Sequence, residues 1–301
     1  MQFTEADVRD QSGKTFLITG SNTGLGFEAA RVIAGAGGHV ILACRNPDKA
    51  QAAMARIREL HPDASVEHLA LDLADLDSVR AASAQVLERN RLDCVVNNAG
   101  VMMPPLGRTR QGFEQQFGIN HLGHFAFNAL ILPKLLDTPG ARLVITSSIA
   151  HRQGKIRFDD LNAERSYSRT DRYNMSKLAN LLYLQALLPR IASSSANLLV
   201  LGVHPGVSFT DLTRHFPRFI QGLIPFAGWL GSTPAEGAWS TLLAATEDNL
   251  EHGAYYGPKG WLELKGPAGP VGRTRQSRDV ALAERLWTVS EELTGITFTL
   301  P

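Results

Sequence analysis

Short apolar runs alternate along the chain with longer stretches in which apolar residues recur every three or four positions. Strands are expected at Lys14–Gly20, Val40–Cys44, Val66–Leu71, Leu92–Asn97, Arg142–Ser147 and Leu198–His204, with helices near 24–36, 47–61, 75–90, 111–137 and 171–192. Val32, Ile33 and Ala36 mark the buried stripe of the first helix. Runs such as FLITG and LDCVV show no polar alternation, so both faces of those strands must be covered. The expected fold is a single α/β domain: a doubly wound parallel sheet with helices on both faces. The regularity stops at Pro205-Gly206. A helix at Pro234–Ala245, a short strand at Ala254–Tyr256, a Gly/Pro-rich stretch to Gly272 and a terminal helix near Asp279–Leu293 are expected beyond it. Within 1–301 we distinguish a core at 14–206, a segment at 207–232 and a C-terminal extension at 233–301.

Of the 301 residues 44% are hydrophobic and 20% charged, with a formal net charge of +1, so nothing draws the chain to nucleic acid or anionic lipid. A small-molecule partner is expected. Cys44 and Cys94 both lie in strand runs and read as buried hydrophobes in a reducing compartment. The first residues carry Glu5, Asp7 and Asp10 without an apolar leader, and no uncharged apolar run reaches membrane-spanning length, so a soluble, cytoplasmic protein is expected. His121, His124 and His151 lack a carboxylate or cysteine at ligand spacing; no metal is expected, and they read as core or substrate-pocket histidines.

The first strand runs into Gly20-Ser21-Asn22-Thr23-Gly24-Leu25-Gly26, and a helix starts at once. A turn without Cβ atoms lets backbone approach a pyrophosphate, whose charge meets N–H groups and the positive end of the helix. A glycine turn alone could equally be a tight connection. At the end of the second strand an acid would hold a ribose 2′-hydroxyl, whereas a cation would accept a 2′-phosphate. Arg45 stands there with no acid in the last strand positions, which favours NADP(H) over NAD(H).

Together with Asn98-Ala99-Gly100 after the fourth strand and Tyr173-Asn174-Met175-Ser176-Lys177 on a later helix, this loop makes the chain resemble the short-chain dehydrogenase/reductase family over its whole length. Runs such as LACRN, INHLGHF, SSIAH and YNMSKLANLL are similar to the retinol-dehydrogenase-like branch. The resemblance implies a Rossmann-type fold and an oxidoreductase that interconverts an alcohol and a carbonyl, with Asn120, Ser148, Tyr173 and Lys177 as the catalytic set. A phenol with pKa about 10 exchanges protons slowly at neutral pH, and Lys177, four residues on, lies on the same helical face where its ammonium would favour the phenolate. Ser148 would hydrogen-bond the substrate oxygen as an oxyanion donor, with Ser147 as its neighbour. The resemblance further implies that Asn120 holds a water leading through Lys177 to solvent. It also implies that Lys177 and Tyr173 bind the nicotinamide ribose, that Asp72 and Leu73 contact adenine flanked by Asn98, Ala99 and Gly100, and that Pro205, Gly206, Val207 and Thr210 hold the carboxamide. Helices 111–137 and 171–192 would supply contacts in a homodimer or homotetramer.

Ser148 and Tyr173 stand 25 positions apart, farther than in many members, so an insertion holding His151, Arg152, Phe158, Asp159, Asp160 and Leu161 lies between them. Thr23 stands where many NADP-dependent relatives carry a base. The segment Phe209–Leu230, with Leu212, Phe216, Phe219, Ile220, Leu223, Ile224, Phe226 and Trp229, has the spacing of one or two amphipathic helices. By the same resemblance it is a substrate lid suited to a lipophilic carbonyl or alcohol; packing on the body of the enzyme, or a membrane contact without firm attachment, are the other readings. Two further functions stay open: a dinucleotide-binding sensor without turnover, and a C=C reductase related to the light-dependent pigment reductases.

Overall fold

The structure, a computed structural model, describes residues 2–193, 197–207 and 232–299. The expected segment Phe209–Leu230, and Thr210 with it, lies outside these residues. Eight strands form one sheet in the order β3-β2-β1-β4-β5-β6-β7-β8. They are β1 (Thr15–Thr19), β2 (His39–Cys44), β3 (Val66–Ala70), β4 (Cys94–Asn97), β5 (Arg142–Thr146), β6 (Leu199–Val203), β7 (Tyr255–Pro258) and β8 (Ala268–Pro270). All neighbours pair in parallel except β7 and β8. The last strand was not foreseen, because its Ala-Gly-Pro sequence has no β signature and its proline is tolerated only at a sheet edge.

Alternation along each strand sends side chains to two separate cores. Leu17, Ile41, Val95, Leu143 and Ile145 face one, while Phe16, Ile18, Val40, Leu42 and Val96 face the other. On the second face lie α1 (Gly24–Gly35), α2 (Pro47–Leu60) and α6 (Pro234–Thr246); on the first lie α3 (Leu76–Leu87), a helix α4 over 115–136, α5 (Arg169–Ala192) and α7 (Val280–Thr294). Local sequence sets the helix starts: Asn46 caps α2 with Pro47 behind it, Asp75 caps α3, Ser168 caps α5, and Thr233 with Glu236 forms a capping box at α6. Helix α4 is not uniform. Its stretch Gly118–Gly123 is a π turn between Gln115–Phe117 and His124–Leu136.

The faces of α4 and α5 expected to meet another subunit are covered around Phe125, Tyr183 and Arg190 by the chain's own α7. Trp287 stacks on Tyr183 at 5.9 Å between ring centroids and meets Phe125 edge-on at 5.2 Å. Arg190 lies 4.1 Å over the Trp287 ring and makes two 2.6 Å bonds to Glu284. No helix among the described residues is long and apolar enough to cross a membrane.

Candidate active site

The chain lays down β1 to β3 in one direction across the sheet and β4 onward in the other, so the loops after β1 and β4 part and leave a crevice at the strand ends. Gly20 and Gly24 adopt φ of +66° and +60° in that crevice. A Cβ on Gly20 would stand 2.9 Å from the Ala99 Cα, and one on Gly26 would stand 2.8 Å from the Gly20 carbonyl and 3.0 Å from the Ser21 Cα. Thr23 gives α1 no side-chain cap, so the first-turn N–H groups and the helix's positive end serve the crevice. This is a cradle that a side chain would fill and a pyrophosphate fits. Asn98 braces it: its Nδ2 donates to the Thr19 carbonyl at 2.8 Å, while Thr19 Oγ1 accepts from the N–H groups of Asn98 and Ala99 at 3.0 and 2.9 Å. The Asn98 amide, assigned to the ligand by resemblance, is therefore engaged with the loop itself.

At the far end of the crevice Arg45 follows β2, exposed, with a guanidinium nitrogen 3.9 Å from the Asp72 carboxylate. Leu73 belongs to the core, and its carbonyl lies where a Cβ on Gly123 would come within 2.4 Å. Its side chain presents little surface to an adenine.

At the other end the four expected catalytic residues come together. The π turn carries Asn120, whose Oδ1 accepts from the Val101 N–H at 2.8 Å and whose Nδ2 donates to the Val101 carbonyl and to Ser176 Oγ, both at 3.0 Å. Both Nδ2 protons of its amide are thus committed to the protein. Gly100 keeps this corner open: a Cβ there would stand 3.1 Å from Asn120 Oδ1 and 3.7 Å from Lys177 Nζ. Ser148, just after β5, accepts from the Ala150 N–H at 3.2 Å, and its hydroxyl is the polar group that favours ionisation of the buried Tyr173. Ser147 donates to the Lys177 carbonyl at 2.8 Å and is spent on α5.

Electrostatics depart from the expectation at one point. Lys177 Nζ donates to the Thr146 carbonyl at 3.4 Å and lies 5.8 Å from the Tyr173 ring centre. Burial pushes Tyr173 up to about 12, opposed by the Ser148 hydroxyl, and pushes Lys177 down to about 8.

The histidines are core groups. His121 stacks on Phe117 and bonds Ser290 Oγ at 2.9 Å. His124 Nε2 lies 2.9 Å from Thr19 Oγ1, whose hydroxyl also reaches the Val96 carbonyl at 3.3 Å, and its Nδ1 donates to the Asn120 carbonyl at 3.2 Å. His151 donates from Nδ1 to the Ser148 carbonyl at 2.7 Å. No cluster of three metal-ligating side chains occurs among the described residues. Burial takes His121 to about 3 and His124 to about 4, from 6.5. The unfolded chain then binds protons that the folded one refuses as pH falls below 6.5, so stability is lost between pH 6.5 and about 4. The thermal midpoint is expected to fall from pH 7 to pH 5, and to fall less steeply in His121→Gln. A midpoint unchanged over that range would contradict the neutral, buried state of both rings.

The insertion packs beside the site through Arg172, the residue before Tyr173, which is 2% exposed. Its guanidinium bonds the Asp160 carboxylate at 2.7 Å and the Ser166 carbonyl at 2.9 Å, while Asp160 accepts from the Glu164 N–H at 2.7 Å. Tyr167 donates to the Pro104 carbonyl at 2.7 Å, closing the insertion onto the loop after β4. Sequence reasoning missed the neighbours of the loop Pro205–Val207. Gly206, at φ +73°, passes so close to Leu264 that a Cβ would stand 2.3 Å from its carbonyl, and the Val207 N–H donates to that carbonyl at 2.9 Å. Leu264 lies in a Gly/Pro-rich stretch with no periodicity to betray it.

A model of the short chain dehydrogenase family matches residues 14–219. The chain belongs to the short-chain dehydrogenase family. Among curated members, human retinol dehydrogenase 14 is 37% identical over 94% of this chain and 87% of its own, and human retinol dehydrogenase 13 is 40% identical over 94% and 85%. A solved structure of an uncharacterized protein from Mycobacterium Paratuberculosis is 37% identical, with a TM-score of 0.84 over the whole of both chains. The L-sorbose reductase of Gluconobacter frateurii, solved with NADPH and L-sorbose, shares the short-chain dehydrogenase fold at 22% identity, covering 80% of this chain and 92% of its own with a TM-score of 0.62. As a short-chain dehydrogenase with retinol dehydrogenase relatives, the protein is an oxidoreductase of the alcohol/carbonyl pair.

Proposed function

We propose that the protein uses NADP(H) to interconvert an alcohol and a carbonyl on a lipophilic substrate, with Tyr173 as the general acid/base. The observation that carries this reading is the convergence of Tyr173 and Lys177, one helical turn apart on α5, with Ser148, Asn120 and Gly100 in one buried corner at the end of the glycine-lined crevice. The cofactor, when bound, supplies or accepts the hydride. Gly20 to Gly26 would hold its pyrophosphate, Arg45 its 2′-phosphate, Lys177 and Tyr173 its nicotinamide ribose, and Pro205 to Val207 its carboxamide. Ser148 Oγ and the Tyr173 hydroxyl bind the substrate oxygen together, and Tyr173 gives or takes the proton as charge develops there.

Burial alone leaves Tyr173 too weak an acid, so the working site must lower its pKa. The Lys177 ammonium, one turn along α5 on the same face, would favour the phenolate, and Asn120 would hold the water that resupplies the proton. A lipophilic substrate is supported by the apolar composition of Phe209–Leu230 and by the names of the curated relatives. NADP(H) preference rests on Arg45, whose ion pair with Asp72 is long and solvated and therefore weak. Arg45→Ala is expected to raise the KM for NADPH about tenfold, the loss of a charged hydrogen bond, and to leave the KM for NADH nearly unchanged. Equal effects on both cofactors, measured with one aldehyde at saturation, would remove Arg45 from the preference.

A further inference from the structure

A second polar assembly, centred on one buried histidine, stands behind the nicotinamide end of the crevice and joins three segments distant in sequence. His204, fully buried, ends β6 just before the carboxamide loop. The Gly206 N–H donates to its Nδ1 at 3.2 Å, so its proton is on Nε2, which donates to Glu263 Oε2 at 3.1 Å. Arg152, on the turn that follows Ser148, donates to the same oxygen at 2.7 Å. Gly257 makes room for the ring: a Cβ there would stand 2.0 Å from His204 Nε2.

The turn carrying Glu263 is held in a costly shape. Leu262 and Glu263 adopt φ of +52° and +59°, a region that non-glycine residues enter only when their surroundings require it. The same turn presents the Leu264 carbonyl to the Val207 N–H at 2.9 Å, and the Ser232 N–H donates to the Val207 carbonyl at 2.8 Å. One short turn thus grips the loop His204–Val207 and, through Arg152, the turn beside Ser148. His204 first, and Arg152 after it, hold the Glu263 carboxyl below the usual carboxylate range, as a carboxylate accepting from both requires.

We propose that Glu263 is a positioning residue for the nicotinamide half of the cofactor: it acts through His204 and Leu264 to keep Pro205–Val207 in the register that the nicotinamide needs. The proposal rests on the functional reading above. It separates the two halves of the cofactor, because the clasp touches nothing at the glycine loop or Arg45. The probes are therefore NADPH and 2′,5′-ADP, which lacks nicotinamide, titrated into the full chain. In Glu263→Ala the Kd for NADPH is expected to rise about tenfold, while that for 2′,5′-ADP stays as in wild type. Glu263→Gln keeps an oxygen for both donors and is expected to hold NADPH within about threefold of wild type. Arg152→Ala, at a partly exposed side chain, should give the Ala pattern at smaller amplitude and should add nothing in the Glu263→Ala background.

An Ala variant that binds NADPH as wild type does, or one that loses both ligands equally, overturns the proposal. If Glu263→Ala does not fold, Arg152→Ala decides, and unchanged binding of both probes there also overturns it. Wild-type protein that binds 2′,5′-ADP but gains nothing from the nicotinamide overturns the clasp alone, whereas wild type that binds neither overturns the functional reading with it.

Discussion

Tyr173→Phe is expected to lower kcat about 10³-fold with every aldehyde or ketone tested, in both directions, while NADPH affinity changes only a few-fold. The substitution removes one oxygen and leaves the ring, which α5 carries with only 8% of the residue exposed. The lost atom is the proposed proton donor, so Ser148 keeps the Ala150 N–H but no longer shares the substrate oxygen with an acid. Folding should be little affected, because a phenol whose pKa burial has raised to about 12 gives up no charged interaction at neutral pH. Turnover within tenfold of wild type would show that another group moves the proton. The kinetics are best read with kcat and KM kept apart, since a positioning change moves KM whereas a missing proton donor moves kcat.

Trp287→Ala should give the largest loss of stability, about 3–5 kcal/mol, and a thermal midpoint lower by roughly 5–10 °C. The indole is 4% exposed and touches Phe125, Tyr183 and Phe298 with ring centroids 5.2, 5.9 and 4.5 Å away, and Arg190 lies over it. Those partners join α4, α5 and the C-terminal residues beyond α7. Removing the indole therefore loosens the cover over the two helices that carry Asn120, Tyr173 and Lys177. Denaturant melts of the variant and wild type measure this directly; a loss below about 1 kcal/mol would mean that α7 is not an integral part of the domain.

The parallel half of the fold was legible because its strands are buried on both faces. Runs such as Phe16–Thr19 and Val40–Cys44 are apolar without interruption, and Asn46-Pro47, Ser168 and Thr233-Pro234 announce the helices after them. The site was legible wherever it is made of motifs local in sequence: the glycine turn, Ser148 at a strand end, and Tyr173 and Lys177 one helical turn apart. What could not be read is what depends on contacts between distant segments. Asn98 and Asn120 look like ligand-facing amides, and only the structure shows their nitrogens committed to Thr19, Val101 and Ser176. The weight of burial on Tyr173 and Lys177 depends on packing from several elements, which helical spacing does not record. The strand Ala268–Pro270 and the strained turn at Leu262 and Glu263 go against local preference and are held by their neighbours, which no periodicity records.

The central claim is that a hydride passes between the cofactor and the carbon of a carbonyl in the corner framed by Ser148 and Tyr173. Its most direct test is product analysis after incubating the protein with NADPH carrying deuterium at C4 and a panel of lipophilic aldehydes, ketones and unsaturated ketones. The account predicts an alcohol with one deuterium on the former carbonyl carbon, formed by wild type and lost in Tyr173→Phe. Deuterium found instead on a former C=C carbon, or bound NADPH with no label transferred to any substrate, would contradict it.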